Sequence, residues 1–253
     1  MMDSIFFISD IDGTIYREKK VTEEELFFLS SVSKRYPIVL ATGRNYAMFH
    51  RFIQEYSFEY EYCILNNGAL VMDKNGSILV SLNMKTNMIL PLVQEMLEKR
   101  EIIINMTFSH LQQNIFLEGI HSNNFLNKTS NIPLITNSIT LEVNSYKGLS
   151  DEIDNFTKTI EQTGFQVNRN KKYIDISPLG SGKASAIICL GNLVKIDVSN
   201  SIIVGDELND KEMLMLTEKS YCMVNGNSEL FTVANNIISS LTEISLKKEE
   251  QNE

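Results

Sequence analysis

Short apolar runs that end abruptly in polar or glycine-containing turns set the rhythm of the first third of the chain. Residues 4–9 (SIFFIS) form such a run, and its aromatic and β-branched content predicts a buried strand. Thr22 and Glu25 have the spacing of a capping box ahead of Leu26, Leu29 and Val32, which share one face of a predicted helix. Residues 37–41 (PIVLA) and 62–65 (YCIL) predict two further buried strands, with a helix over about 46–56 between them. Strands alternating with helices predict a parallel sheet covered on both faces, where ligands gather at the carboxyl ends of the strands. Those ends read Asp-Ile-Asp-Gly-Thr, Thr-Gly-Arg and Asn-Asn-Gly.

The pattern then changes. Residues 69–80 predict a hairpin turning at Asn75-Gly76, and an amphipathic helix is expected over 87–99. Short strands follow near 102–108, 114–117 and 138–143, with Ser122, Asn123, Asn124 and Asn127 in a polar loop between them. A helix over 150–162 and strands at 165–168 and 173–177 complete this stretch. It reads as an α+β lobe at 82–177, inserted into an α/β core made of 1–81 and 178–253. The βα rhythm resumes with a helix from Lys183, a strand at 202–204 that runs into Gly205-Asp206, and another helix. The charged tail at 247–253 is expected to fray.

Composition narrows the function. Apolar residues make up 43% and charged residues 22% of 253 residues, ordinary values for a folded globular protein. A formal net charge of −9 disfavours nucleic acid as a partner, but a small anionic substrate in a locally positive site remains compatible. Asp3 without a basic segment gives no expectation of a signal peptide, and no apolar run reaches the roughly 18–20 residues of a membrane span. Cys63, Cys189 and Cys222 stand singly in apolar stretches and are expected to be reduced core residues in a cytoplasmic protein.

Asp10 and Asp12, two residues apart at a predicted strand end, can point the same way, and Gly13 allows a sharp turn beneath them. A carboxylate attacks phosphorus poorly unless the phosphate charge is neutralised, which calls for a metal and a lysine. An isolated pair of this kind also serves as an Asx turn. Asp206 and Asp210, four apart at a second strand end, would form an all-oxygen pocket with Asp10, suited to Mg2+. Alone, that motif is equally a helix cap. Thr42, Gly43 and Arg44 offer a hydroxyl and free backbone N–H groups to a phosphate, and Asn66-Asn67-Gly68 reads as ordinary turn chemistry. Lys183 lies in Gly-Ser-Gly-Lys-Ala-Ser, but a P-loop wants Gly at 177 and Ser or Thr at 184, and finds Ser177 and Ala184. A lysine at a helix start that neutralises phosphate fits better. His50, His110 and His121 form no triad or metal motif.

These motifs, in this order, resemble the haloacid dehalogenase-like (HAD) superfamily of phosphatases. The resemblance is carried by Asp10-Ile11-Asp12-Gly13-Thr14, Thr42-Gly43-Arg44, Lys183 and Gly205-Asp206-Glu207-Leu208-Asn209-Asp210. The insertion is similar to the type-2 cap of the Cof-like subgroup. The resemblance implies a Rossmann-like core with an α+β cap and Mg2+-dependent hydrolysis of a small phosphorylated metabolite. In it Asp10 is the nucleophile that forms an aspartyl-phosphate, and Asp12 the acid and then the base. Thr42, Gly43 and Lys183 hold the phosphoryl group, and Asn209 helps to bind it or orients Lys183. Mg2+ sits on Asp10, Asp206 and the Asp12 backbone carbonyl, supported by Asp210. Met223-Val224-Asn225-Gly226 departs from the family's usual Met-Gly-Asn-Ala, and its later Asp-Gly-Val is missing near Leu241. A phosphomutase or a catalytically silent binding protein are the alternatives. Lys128, Arg169, Lys171 and Lys172 of the lobe are candidates to meet the non-phosphate part of a substrate.

Overall fold

The computed structural model describes residues 4–99, 102–144, 150–170 and 172–246, so Lys171 and the tail at 247–253 lie outside the described residues. The chain opens with β1 (Phe7–Ser9), α1 (Glu23–Ser33), β2 (Ile38–Ala41), α2 (Tyr46–Tyr56), β3 (Tyr62–Leu65) and the hairpin strands β4 (Leu70–Asp73) and β5 (Ile78–Ser81). The capping box forms as expected: Thr22 Oγ1 accepts from the Glu25 N–H, and the Glu25 carboxylate reaches back to the Thr22 N–H. Glu25 is buried, and its charge is met by Arg17.

The inserted segment holds β6 (Met84–Lys85), α3 (Leu90–Lys99), β7 (Ile103–His110), β8 (Gln113–Leu117), α4 (Phe125–Thr129), β9 (Ile135–Thr136), β10 (Ser138–Val143), α5 (Ser150–Gln162), β11 (Phe165–Asn170) and β12 (Tyr173–Pro178). The chain then returns with α6 (Lys183–Val194), β13 (Ile202–Gly205), α7 (Lys211–Leu214), β14 (Ser220–Met223) and β15 (Asn236–Ile238). The large sheet runs β15-β14-β13-β1-β2-β3-β4-β5, parallel from β15 to β3 and antiparallel across β4 and β5. The second sheet, β11-β12-β10-β7-β8, is antiparallel throughout. The fold is thus an α/β Rossmann-like core with an inserted α+β cap.

Side-chain alternation explains why both faces of the large sheet are covered. Phe7, Leu40, Leu65 and Val204 pack on one side with Leu29 and Phe49, while Ile8, Val39, Ile64 and Ile203 pack on the other with Ile187 and Leu190. The second sheet buries only one face, where Met106, Phe108, Leu141, Ile174 and Ile176 meet Val93 of α3 and Phe156 of α5. Its other face is polar and turned to the cavity described below.

Two expectations change. The polar stretch around Asn124 and Asn127 is not all loop, because Phe125 is drawn into the apolar cluster and a short helix, α4, forms around it. The helix expected from 87 begins instead as a 3-10 turn at Thr86–Met88, before α3. Cys63 and Cys222 are buried and Cys189 half-buried, all three free. Among the described residues, no helix is long and apolar enough to cross a membrane.

Candidate active site

The carboxyl ends of β13, β1, β2 and β3, neighbours in the sheet, bring the polar motifs together. Asp10 follows β1, and its N–H donates to the Val204 carbonyl of β13 (3.0 Å), so Asp206 at the end of β13 arrives alongside. Gly13 makes the closeness possible: its φ is +94°, and a Cβ there would fall 2.0 Å from Asp206 Oδ2. Thr14 Oγ1 donates to Asp206 Oδ1 (2.9 Å). Asp210 folds back over the loop, its Oδ2 accepting from the N–H groups of Asp206 (2.9 Å) and Glu207 (3.1 Å).

Lys183, the first residue of α6, is buried between two of these acids. Its Nζ donates to Asp10 Oδ1 (2.5 Å) and Asp210 Oδ1 (2.6 Å). Asp10 Oδ2, also buried, has no hydrogen-bond partner. Burial raises the Asp10 pKa well above the ordinary carboxylate range; Lys183 pulls it down, while Asp210 and Asp206 push it further up. Burial and then the Asp210 charge push Asp206 up to about 7. For Lys183, burial opposes the charge, but Asp10 and Asp210 outweigh it and hold the pKa above the usual lysine value. Oxygens of Asp10, Asp206 and Asp210 lie within 4.8 Å of one another, a hard-ligand set that can hold a small divalent cation. The unpartnered Asp10 Oδ2 fits such an ion. Both Asp210 oxygens are already engaged, which suits a backing position.

The Asp12 side chain stands outside this cluster and is half exposed. Arg44 grips it through two hydrogen bonds, Nε to Oδ2 (2.8 Å) and Nη2 to Oδ1 (2.6 Å). The Arg44 guanidinium lies 4.7 Å from the Phe52 ring centroid and 5.2 Å from that of Tyr16. Thr42 is buried at the end of β2, and its hydroxyl oxygen accepts from the Arg44 N–H (3.2 Å), leaving its proton free to donate. Gly43 packs against Asn67, and a Cβ there would come 3.1 Å from Asn67 Oδ1.

Asn209 bonds to Asn67 (Nδ2 to Oδ1, 3.0 Å), not to Lys183. Asn67 in turn reaches Asp175 of β12 at 3.5 Å. The Asn-Asn-Gly turn, read from sequence as ordinary turn chemistry, is therefore a joint: both asparagines are left-handed, and Ser138 of the second sheet donates to Asn66 (3.1 Å). Asn225, in the stretch that departs from the usual motif, donates to the Gly13 carbonyl (3.2 Å) and the Asn227 N–H to that of Asp206 (2.7 Å), so that loop still supports the site.

Asp10, Asp12, Thr42, Gly43 and Asn209 all line one cavity of about 940 Å³ between the two sheets. Its far wall is the polar face of the second sheet, including Asn105, Thr140, Asn168 and Asp175. The basic residues expected there are engaged elsewhere: Lys128 bonds the Glu118 carbonyl, Lys172 pairs with Glu142, and Arg169, which does line the cavity, pairs with Asp154. Sequence reasoning gave the Arg44 side chain no part in holding Asp12, read Asn67 as turn chemistry and passed over Asp175. The signal available for Asp175 was the alternation of polar and apolar residues in 138–143 and 173–177.

A family model described as haloacid dehalogenase-like hydrolase matches residues 7–248. A candidate phosphatase from Buchnera aphidicola subsp. Baizongia pistaciae is 24% identical over 231 residues, covering 87% of this chain and 86% of that protein. A candidate HAD/COF-like hydrolase from Plasmodium vivax has the same fold, with a TM-score of 0.76 at 18% identity over 94% of this chain and 91% of that one. A sugar phosphatase of HAD subclass IIB superposes with a TM-score of 0.75 at 15% identity, with 95% of each chain covered. With nearly the whole length matched by the family model and the acidic pocket formed at the expected strand ends, the chain belongs to the haloacid dehalogenase-like hydrolases.

Proposed function

We propose that this protein is a Mg2+-dependent phosphatase of small phosphorylated metabolites, with Asp10 as its nucleophile. The observation that carries the reading is the state of Asp10: buried, one oxygen held by Lys183, the other unpartnered beside Asp206. Mg2+ would be held by Asp10, Asp206 and the Asp12 backbone carbonyl, with Asp210 behind them, and would neutralise charge on the phosphate as the carboxylate approaches. Lys183 and Thr42, with the backbone at Gly43, hold the phosphoryl oxygens.

The Asp10 carboxylate forms a bond to phosphorus as the bond to the leaving oxygen breaks, and Asp12 gives that oxygen a proton. Asp12 then takes a proton from water as its oxygen bonds to phosphorus and the bond to Asp10 breaks, releasing inorganic phosphate. Arg44 sets the orientation of Asp12 between these duties. Residues 1–81 and 178–253 carry the chemistry, and 82–177 form the cap that encloses the substrate. Three free cysteines fit a reducing compartment, and we assign the protein to the cytoplasm.

Turnover of p-nitrophenyl phosphate tests this reading. Chelation with EDTA should abolish it and Mg2+ restore it, while Ca2+, with its looser shell, restores little. In rapid-quench labelling, the wild type should acquire acid-stable, hydroxylamine-sensitive phosphate and Asp10→Asn should acquire none. Turnover that survives exhaustive chelation removes the metal from the mechanism, and label on Asp10→Asn removes the nucleophile.

A further inference from the structure

The far wall of the cavity has an ordered chemistry of its own. Pairing of the second sheet places Asn168 opposite Asp175, Asp175 opposite Thr140, and Thr140 opposite Thr107. These residues form one cross-strand row and all line the cavity. Their sequence neighbours Ile174, Ile176, Ile139 and Leu141 point to the other face and are fully buried, so the row cannot turn away without exposing the apolar core of the cap. Nothing in the row is basic.

Asp175 stands in the middle of it. Thr140 Oγ1 donates to its Oδ1 (2.7 Å), while its Oδ2 has only the long 3.5 Å approach of Asn67 Nδ2. A carboxylate offers about four lone-pair sites, so most of the accepting capacity of Asp175 is unspent. Asn168 Nδ2, its cross-strand neighbour, and Asn114 Oδ1, further along the same wall, are buried without a hydrogen-bond partner. Unspent acceptors and carboxamides of this kind are satisfied by hydroxyl groups, which donate and accept together.

Charge around the cavity sharpens the choice. Arg44 is taken by Asp12 and Arg169 by Asp154, while Glu142 is matched by Lys172 and Asn105. Arg51 stands exposed on α2, on the core side of the cavity, and Glu207 lies on the metal loop. Across from the phosphate site, Asp175 is therefore the carboxylate that no cation answers within its own row.

We infer that Asp175 is a specificity-determining residue: it accepts a hydrogen bond from a hydroxyl of the leaving group and rejects leaving groups that carry a second negative charge. The selection follows from a simple asymmetry. A hydroxyl supplies the donor that the carboxylate lacks, whereas a carboxylate or second phosphate brings like charge against it in a partly dried cavity. The Asp175–Asn67–Asn209 chain ties the same residue to the metal loop, so a leaving group seated on Asp175 is registered against the phosphate site.

The inference rests on the phosphatase reading for its kinetic test, and a binding test separates the two. The probes are glucitol 6-phosphate and 6-phosphogluconate, both open chains of the same length, with a terminal CH2OH in the first where the second has a carboxylate. Wild-type kcat/KM should favour the neutral member by at least about tenfold. Asp175→Asn should cut that ratio at least about fivefold, and Asp175→Glu should keep it. A merely structural role would lower both substrates together and leave the ratio in place. The same ratio is read in equilibrium binding to the Asp10→Asn protein, which needs no turnover. Absence of any metal-dependent hydrolysis would overturn the phosphatase reading, with the binding ratio still deciding this one. A wild-type ratio near one, in binding or in kcat/KM, overturns the inference even if neither Asp175 variant folds. So does an Asp175→Asn protein with the wild-type ratio.

Discussion

Asp206 makes the pH dependence of the metal-free protein run opposite to that of an ordinary carboxylate. Its folded pKa lies near 7, against 3.8 for the free group, chiefly through burial and then through the Asp210 charge. The folded state thus holds this proton more tightly than the unfolded chain does. Its contribution to stability is full below about pH 4 and is lost as pH rises towards 7, up to about 4 kcal/mol in all. Asp10 acts in the same sense. In EDTA, urea unfolding should show the wild type losing stability between pH 5 and pH 8 relative to Asp206→Asn, in which that slope is removed. Mg2+ should stabilise the wild type more at pH 8 than at pH 5, because the cation takes the place of the proton. A wild-type curve parallel to that of Asp206→Asn would remove Asp206 from the titrating set. Asp10, Asp206, Asp210 and Lys183 were legible from sequence because each stands at a strand end or helix start whose position the apolar pattern fixes. Asn67 was not, since Asn-Gly is ordinary turn chemistry and its partner Asp175 lies 108 residues away.

At the level of elements, the packing of α6 against the turn after β3 places Lys183. Gly68 has a φ of +98°, and a Cβ on it would fall 2.3 Å from the Gly182 carbonyl oxygen, immediately before the helix. Two backbones meet there, so neither can yield without moving Lys183. Gly68→Ala should lower kcat/KM for an aryl phosphate by about a hundredfold, as misplacement of about 1 Å does. Gly180→Ala is the control: its φ is +85°, but nothing lies within 4 Å of the added Cβ. It should cost about 1–2 kcal/mol of backbone strain with little change in turnover. Equal kinetic losses in the two variants would show that left-handed backbone, not the close approach, is what matters. The short apolar runs announced β1, β2, β3 and β13, whose residues alternate into two filled layers. β14 and β15 went unread, and pairing with β13 and then β14 makes them strands. The polar row on β10 and β12 was written in the same alternation, but only the facing core gives it meaning.

Over the whole molecule, we propose that chemistry and selection divide along the chain. The apolar cluster of the inserted segment is built from residues between Met84 and Ile176, and among the described residues the two clusters of the large sheet draw on that segment only through Leu111 at the β7–β8 turn. Among the described residues the polar ties are few: Gln112 to the Gly76 carbonyl, the Leu82 N–H to the Ala69 carbonyl, Asn137 to Ser81, Ser138 to Asn66, and Asn67 to Asp175. Removing 82–177 therefore strips little apolar surface from the core, and a short linker between 81 and 178 should leave a folded protein, checked by circular dichroism and cooperative unfolding. Such a protein retains Asp10, Asp12, Thr42, Lys183, Asp206 and Asp210, and should keep Mg2+-dependent turnover of p-nitrophenyl phosphate at a reduced rate, since water now enters the cavity from one side. Its preference between glucitol 6-phosphate and 6-phosphogluconate should collapse towards one, because the far wall that distinguishes them is gone. The insertion expected over 82–177 could not show from sequence which of its faces looks at the core, since that depends on contacts between residues about 70 to 110 positions apart. A folded deletion protein that ranks the two phosphates as the parent does would place selection in the core and end this division of labour.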